Sequence, residues 1–446
     1  MTHSTLQLAQ NGVVAHAGRW YTVGVLALVY AISMIDRFVL SVIAQPVTQS
    51  LGLSNTQMGL LLGAGFAILY SLCGMPAAHL IDRGNRKLIV AGGVMLWSLL
   101  TLASAFTTDF TTLMVCRAGV AMGEAVLTPA AISLIGDMFA RKERSLPTSC
   151  YMATSNIMAT GSFVLGALVY DLASHQQWLP NLEPWRLTLM VVSVPGIVMS
   201  LVIALSVREP ARMEDRPRME GLSATPEGAG VADVWRFLKG NAATFLPLFI
   251  GTGLISSLTL GVMSWAPTLL VRIHGLAASE ASYVFGSFGM PASLLGTFTL
   301  PWLASRLHAR GHGGAVVRVL MLCVAAPIPA IAYGMVAGVL WAMVLGLTIA
   351  MLFLPSITVM TCLGLQQVSP SRMRARTIAL NLLVINLFGY TVGPLLSGYL
   401  ADHVFSGPTA IASSLAVMAL ILGPLALLSF YLALTPFRAL LVRVST

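Results

Sequence analysis

The chain has 446 residues, of which 57% are hydrophobic and only 9% are charged, and its mean hydropathy is +0.84. Soluble domains carry about 25% charged residues, so this composition excludes an ordinary soluble protein and indicates an integral membrane protein. The formal net charge of +9 does not indicate nucleic-acid binding, because the basic residues lie mainly in loops between apolar segments.

Apolar segments long enough to cross a ~30 Å hydrocarbon core recur along nearly the whole chain. Their length favours helices over a β-barrel. We therefore predict an all-α membrane protein with twelve transmembrane helices in two pseudo-symmetric halves of six. The predicted spans are 22–49, 57–81, 87–107, 111–139, 145–172, 186–207, 242–271, 279–305, 315–337, 339–367, 374–402 and 409–437.

One segment, residues 208–241, is rich in Pro, Gly, Glu and Arg and is predicted to be a cytoplasmic linker. It joins an N-terminal six-helix bundle, 22–207, to a C-terminal one, 242–437, and the remaining residues, 1–21 and 438–446, are predicted tails. The first apolar run is longer than a signal-peptide core, so we expect it to be retained. The linker stretch VADVWRFLKG fits either a short interfacial helix or a lead-in to the seventh span.

The distribution of basic residues predicts the orientation. With a cytoplasmic N-terminus, 21 of the 25 Lys and Arg residues fall on the cytoplasmic side. Arg186 and Arg272 lie on the opposite side, and Arg37 and Arg117 lie inside predicted spans. This asymmetry places both termini in the cytoplasm, and we expect a multi-pass protein of a bacterial inner (plasma) membrane.

Four charged residues lie inside predicted membrane helices: Asp36 and Arg37 in the first span, and Arg117 and Glu124 in the fourth. A charged side chain at a helix centre costs about 2.5–3.5 kcal/mol on insertion scales, so such residues usually face a cavity or a partner. The N-terminal half is therefore predicted to have a polar interior.

Helical geometry relates these charges to one another. Arg117 and Glu124 are seven residues apart, which puts them within about 20° on one helix face and roughly 10 Å apart along the axis. Asp36 and Glu124 lie at similar depth, so their carboxyls are expected to meet across the first and fourth helices. Gly119 and Gly123 leave the fourth helix thin, which lets another helix or a substrate come close.

Two interpretations of this cluster remain open. Burial and a nearby arginine act in opposite directions on the proton affinity of a carboxyl, so a change in water access would let Asp36 and Glu124 take up and release protons. A static buried ion pair that fixes helix packing is the alternative. Arg37 or Arg117 would serve as a charge partner for these acids or would bind a substrate carboxylate.

The loop after the second span, GMPAAHLIDRGNRKLI, resembles the signature of the major facilitator superfamily, with Gly74, Asp82, Arg83, Gly84, Arg86 and Lys87 in the expected places. The resemblance implies twelve helices and a cytoplasmic gate. That gate would comprise Asp82, Arg83, Arg86, Lys87, Asp137 and Arg144. The equivalent loop of the second half, PWLASRLHARGHGG, keeps two arginines but lacks the acid.

Within this superfamily the chain is most similar to the spinster-like lipid transporters. The resemblance lies in MIDRFVLSVI, CRAGVAMGEAVLTPAAISLIGDMF, LTLGVMSWAPTLLVR and NLFGYTVGPLLSGYLAD. It implies that Asp36 and Glu124 carry protons and that Arg117 tunes them.

The C-terminal spans offer uncharged candidates for a substrate cavity: Trp265, Phe285, Met290, Asn381, Asn386 and Tyr390. For the aromatic residues and the methionine among them, helix packing is the alternative role. A cavity that is polar on one wall and apolar on the other suits an amphipathic molecule. We therefore expect a proton-coupled secondary transporter for a lipid-like or hydrophobic substrate, which works by alternating access with the substrate between the halves. An organic-anion symporter or a multidrug/proton antiporter is the alternative.

Other classes fit the sequence less well. It contains no Gly-rich phosphate loop, HExxH or GxSxG motif, so we expect no enzyme. The five cysteines lack paired spacing, so we expect neither disulfides nor a metal site. The expected partners are protons, a small amphipathic substrate and the lipid bilayer, with no other cofactor, no nucleic acid and a monomeric chain.

Overall fold

The computed structural model describes residues 3–140, 142–176, 181–210 and 231–445. All regular structure in those ranges is helical. The twelve long helices are α1 His3–Val42, α2 Asn55–Arg83, α3 Arg86–Ser104, α4 Phe110–Met138, α5 Ser145–His175, α6 Pro184–Ser206, α7 Ala242–His274, α8 Ala278–Ala309, α9 Ala315–Val336, α10 Leu340–Val368, α11 Arg374–His403 and α12 Ala410–Ser445.

Within the described ranges, eleven of these helices are long and apolar enough to cross a membrane. The remaining one, α8, is 32 residues long, but its serines, glycines and prolines lower its hydropathy. Its length and its place between α7 and α9 make it the twelfth membrane helix. The predicted all-α architecture with twelve transmembrane helices is confirmed.

Several of these helices are interrupted inside the predicted spans. A break after Glu124 divides α4 into Phe110–Glu124 and Leu127–Met138. Pro129 lies in the first turn of the second segment, where its missing N–H is tolerated. Single π-helical turns occur at Leu60–Ala64 in α2 and Ile385–Tyr390 in α11. Such turns are frequent at functional sites.

The chain forms two compact units. The first unit comprises Met1–Val39 and Leu69–Leu222, and the second comprises Leu40–Ile68 and Ser223–Thr446. This division falls inside the predicted linker, but it differs from the predicted halves because Leu40–Ile68 groups with the C-terminal helices. Glycines on α2 and α11 allow this grouping, since they let the two backbones approach closely.

Most of the predicted linker lies outside the described residues, but its last part is a helix, Val231–Gly240. Val234 and Leu238 are buried, and Phe237 packs edge-on against Phe245 at the start of α7, with ring centroids 5.4 Å apart. VADVWRFLKG is therefore a separate short helix, and its position at a membrane surface stays a prediction.

The glycines of α4 serve contact with α3. A Cβ on Gly123 would lie 2.7 Å from the carbonyl oxygen of Gly93, and a Cβ on Gly119 would lie 2.5 Å from Leu100 Cδ1. The sequence left open whether a helix or a substrate would approach here. In the first unit it is α3 that fills this space, which places Thr101 of α3 beside the charged residues of α1.

Candidate functional site

Three helices of the first unit, α1, α3 and α4, bring the four predicted membrane charges together. Asp36, Arg117 and Glu124 are respectively 2%, 4% and 2% exposed, and the Arg37 side chain is 12% exposed. Each charge therefore depends on protein partners rather than on water. The predicted polar interior of the N-terminal half is present in the first unit.

Glu124 pairs with Arg37 rather than with Arg117. Arg37 Nη2 donates a hydrogen bond of 2.5 Å to Glu124 Oε2. The other carboxylate oxygen, Glu124 Oε1, is buried and has no hydrogen-bond partner among the described residues. The Glu124 carboxylate is thus held by a hydrogen bond on one side only.

Arg117 binds the backbone of α1. Its Nη1 donates to the carbonyl oxygen of Asp36 at 3.3 Å, and its Nη2 donates to that of Arg37 at 3.2 Å. The guanidinium is therefore fixed beside both acidic residues. This position agrees with a tuning role and ties α4 to α1.

Asp36 has a hydroxyl partner. Thr101 Oγ1 lies 2.8 Å from each of the Asp36 carboxylate oxygens. The sequence predicted that the Asp36 and Glu124 carboxyls meet. Among the described residues no hydrogen bond joins them. Adjacent residues on a helix point about 100° apart, so Arg37, next to Asp36, is the one directed at Glu124.

Three tyrosines beside the charges were not predicted. The Tyr30 and Tyr151 rings stack with centroids 4.7 Å apart, and the Arg37 guanidinium lies 5.2 Å from the Tyr70 ring centroid, a cation–π contact. The Tyr151 hydroxyl is 3.3 Å from Thr128 Oγ1. A signal existed in the sequence, because Tyr30 and Arg37 are seven residues apart and so share a helix face.

Arg86 is the centre of the predicted gate residues. It is 2% exposed, and its Nη1 binds Asp137 and lies 3.0 Å from Ser133 Oγ. Its Nε donates to Glu209 Oε1 at 2.7 Å. Glu209, which the sequence reasoning missed, stands directly after α6, where it looked like part of the linker.

The other predicted gate residues are placed differently. Lys87 Nζ lies 3.3 and 3.2 Å from the carbonyl oxygens of Ala204 and Val207 at the end of α6, while Arg144 Nε donates to the carbonyl oxygen of Phe139 at 3.0 Å. Asp82 and Arg83 are exposed, with no hydrogen bond or ion pair to another described side chain. The gate role of all six residues stays a prediction.

Two of the predicted cavity residues have packing contacts in the second unit. Trp265 is fully buried, and its Nε1 donates to the carbonyl oxygen of Pro394 at 3.1 Å, which ties α7 to α11. Phe285 lines a small apolar crevice between α7, α8 and α10. Trp265 therefore has the contacts of a residue that packs helices together, and its contact with a substrate stays a prediction.

The other four cavity candidates lie along α8 and α11. Asn381 is completely buried, and neither its amide nitrogen nor its amide oxygen has a partner among the described residues. Asn386 and Tyr390 are half-buried and lie in the π-helical turn of α11, and Met290 on α8 is half-buried. These four residues remain candidates for substrate contact.

Within the described ranges, no group of three His, Cys, Asp or Glu side chains has the arrangement of a metal site. What the first unit offers is a buried carboxylate with an arginine partner, inside a protein of twelve membrane helices. Discontinuous membrane helices with ionisable residues at their breaks are characteristic of secondary transporters.

The comparison with protein families agrees with this class. Residues 26–384 match the Major Facilitator Superfamily. The chain therefore belongs to this superfamily of transporters, and it is not an enzyme.

Three proteins illustrate the range of its relatives. An "MFS-type efflux pump" of Mycolicibacterium smegmatis is 27% identical over 94% of this chain and 93% of that protein. A "Probable L-galactonate transporter" of Escherichia coli is 26% identical over 64% of this chain and 62% of that protein. A bacterial homologue of the human lysosomal transporter Spinster, solved inward-facing and unoccupied, has a TM-score of 0.76 and 26% identity over 96% of this chain and 97% of that one. The predicted superfamily and the spinster-like resemblance are confirmed.

Proposed function

We propose that this transporter is proton-coupled and moves an amphipathic, lipid-like substrate by alternating access, with Glu124 and Asp36 carrying the protons. The proposal rests on the hydrogen bonding of the Glu124 carboxylate. One of its oxygens pairs with Arg37, while the other is buried without a partner among the described residues. Protonation would place a hydrogen on that oxygen and remove the charge that holds Arg37.

This arrangement links the proton to a substrate head group. Once Glu124 is neutral, the guanidinium of Arg37, partly exposed and stacked on Tyr70, is available to a negatively charged group. Deprotonation restores the Arg37–Glu124 pair and expels that group. Because each ligand then favours the binding of the other, the two are coupled by reciprocal linkage.

An amphipathic substrate is supported by a contrast between the units. The first unit buries four charged side chains, Asp36, Arg86, Arg117 and Glu124, whereas no described side chain that is fully buried in the second unit is charged. The similarity to a Spinster homologue supports the same substrate class. The inward-facing conformation of that homologue supports alternating access.

A second candidate is an organic-anion symporter. It is favoured by the same Arg37 guanidinium, because a planar fork of N–H groups matches a carboxylate. The likeness to a galactonate transporter supports this alternative. The difference between the two candidates lies in whether the substrate also needs an apolar tail.

The test uses purified protein in proteoliposomes with an imposed pH gradient. Three probes are compared: a fluorescent lysophospholipid, a hexonate and the cationic dye ethidium. Gradient-driven movement of the lysophospholipid with little movement of the hexonate is expected. Hexonate uptake alone would establish the organic-anion symporter, and ethidium expulsion alone would establish a drug antiporter.

A further inference from the structure

A carboxylate near the end of α11 binds the start of α2. Asp402 Oδ1 accepts hydrogen bonds from Asn55 N at 3.2 Å and Asn55 Nδ2 at 2.6 Å. Asp402 Oδ2 accepts from Thr56 N at 2.7 Å and Thr56 Oγ1 at 2.6 Å. Each carboxylate oxygen of Asp402 thus accepts two hydrogen bonds. The donors belong to residues that are 347 and 346 positions away in the chain.

These bonds complete the N-terminus of α2. A helix leaves its first N–H groups without internal partners. Ser54 and Gln57 satisfy two amides at this end through a reciprocal capping box, and Asp402 satisfies the two amides between them. A carboxylate at this position is also favoured by the positive end of the helix dipole.

Arg272, at the end of α7, extends the same network. Its Nε donates to Gln45 Oε1 at 2.6 Å, and its Nη1 donates to Asn55 Oδ1 at 2.7 Å. The Asn55 side chain therefore links Arg272 to Asp402. We call the four residues Gln45, Asn55, Arg272 and Asp402 the polar latch, and all four belong to the second unit.

Glycines bring the helices of the latch together. A Cβ on Gly398 would lie 2.3 Å from the carbonyl oxygen of Asn55, and one on Gly59 would lie 2.4 Å from that of Pro394. Contacts this short between backbones are possible only without a Cβ. The close contact continues to Gly63, where a Cβ would lie 1.9 Å from the carbonyl oxygen of Tyr390.

Gly63 and Tyr390 lie in the π-helical turns of α2 and α11. The α2 residues that belong to the second unit end a few positions later, at Ile68. The tightly packed seam thus begins at the polar latch and ends where both helices lose regular α-helical bonding. π-helical turns are places where helices bend.

We propose that the polar latch closes the end of α2 opposite the Arg83–Arg86 loop, and that it must release for the protein to open at that end. Release would free α2 from α11 along the glycine seam, with the π-helical turns absorbing the bend. This inference rests on the alternating access proposed above. The closed latch itself is a local structure that does not depend on a substrate or a proton.

The experiment measures the width of this end directly. Spin labels are attached at Ser50, near the end of the short helix Ala44–Leu51, and at Ser406, both of which are exposed beside the latch, in a variant without its five cysteines. Double electron–electron resonance then gives the distance distribution in lipid nanodiscs. For Asp402→Asn, the ratio of wide to narrow distances should rise about fivefold, because an amide NH₂ would face the Thr56 donors.

Two more variants keep the test decisive if Asp402→Asn fails to fold. Arg272→Gln and Thr56→Val should each widen the distribution in the same direction, the second by less, since the amides of α2 remain bonded. Asp109→Asn is the matched control, because Asp109 caps its own helix α4, chiefly through Thr112, and the change should leave the distances unchanged. The proposal is overturned if the latch variants keep the wild-type distribution or if the control widens it equally.

The readout also separates this proposal from the transport mechanism. The distances are recorded without substrate and at one pH, so they report on the latch even in a protein with no proton coupling. Wide distances in Asp402→Asn would support the latch whether or not the protein is proton-coupled, and wild-type distances would overturn the latch without contradicting the proposed function.

Discussion

Glu124 and Asp402 are both carboxylates that join helices far apart in the chain, but their surroundings are opposite. Glu124 is buried, and one of its oxygens has no hydrogen-bond partner among the described residues. Asp402 is exposed, and its two oxygens accept four hydrogen bonds. The buried acid therefore has fewer partners than the exposed one, which is the reverse of the usual relation.

This difference separates a switch from a structural link. A buried carboxylate that is half-satisfied gains most from taking up a proton or exchanging its partner. A carboxylate whose oxygens all accept hydrogen bonds gains nothing from a proton and holds its geometry. The contrast supports the two proposals, which give the proton chemistry to the charged cluster of α1 and α4 and closure to the polar latch of α2, α7 and α11.

The largest expected effect comes from removing Arg37, the hydrogen-bond partner of Glu124 among the described residues. Arg37→Met should destabilise the protein by up to about 3–5 kcal/mol at neutral pH, because it removes the hydrogen bond to a buried charge and leaves Arg117 as the remaining cation beside it. The loss should shrink as the pH falls, since a protonated Glu124 no longer needs a cation. Thermal unfolding in detergent at two pH values measures both effects.

The double variant Arg37→Met with Glu124→Gln sharpens the result. Replacing both members of a buried pair avoids the unpaired charge, so part of the lost stability should return and its pH dependence should disappear. Equal destabilisation at both pH values in Arg37→Met would argue for a static ion pair, the alternative that the sequence left open.

A smaller effect is expected at the seam beside the latch. Gly63→Ala places a methyl group 1.9 Å from the carbonyl oxygen of Tyr390, and overpacking of this kind costs about 1–3 kcal/mol. Gly92→Ala is the control, because a Cβ there has no neighbour within 4 Å. A thermal shift confined to Gly63→Ala would support a tight α2–α11 seam, whereas equal shifts would contradict it.

The smallest effect is expected at the contact between α7 and α11. Trp265→Phe removes one hydrogen bond to the Pro394 carbonyl oxygen, which keeps the bond from Ser397 Oγ, so the cost should be about 1 kcal/mol or less. The affinity for substrate should stay unchanged, because the Trp265 side chain is fully buried in the protein. A large loss of affinity in a ligand thermal-shift assay would return Trp265 to the substrate site.

The fold was predictable because each membrane helix needs a long apolar run, and such runs are visible without tertiary information. The charged cluster was predictable because burying charges is costly, which marks Asp36, Arg37, Arg117 and Glu124 wherever they pack. Helical geometry placed Arg117 and Glu124 on one face. It did not show that Arg117 would bind the backbone of α1 and leave Glu124 to Arg37.

The polar latch could not be predicted from the sequence. Asp402 and Asn55 are 347 positions apart, and each stands at a helix end, where polar residues are common and carry no signal of their own. The glycines of α2 and α11 read as ordinary membrane-helix composition until the two backbones meet. Their role depends on which helices are neighbours, and periodicity within one helix does not contain that information.

The most direct test of the central claim compares two modes of transport in Glu124→Gln. With the substrate identified by the probe panel, proteoliposomes are assayed for exchange without a gradient and for accumulation driven by a pH gradient, beside Glu280→Gln as a control on an exposed carboxylate. We expect Glu124→Gln to retain exchange and to lose gradient-driven accumulation, with both modes intact in Glu280→Gln. Wild-type accumulation in Glu124→Gln would contradict the assignment of Glu124 as a proton carrier.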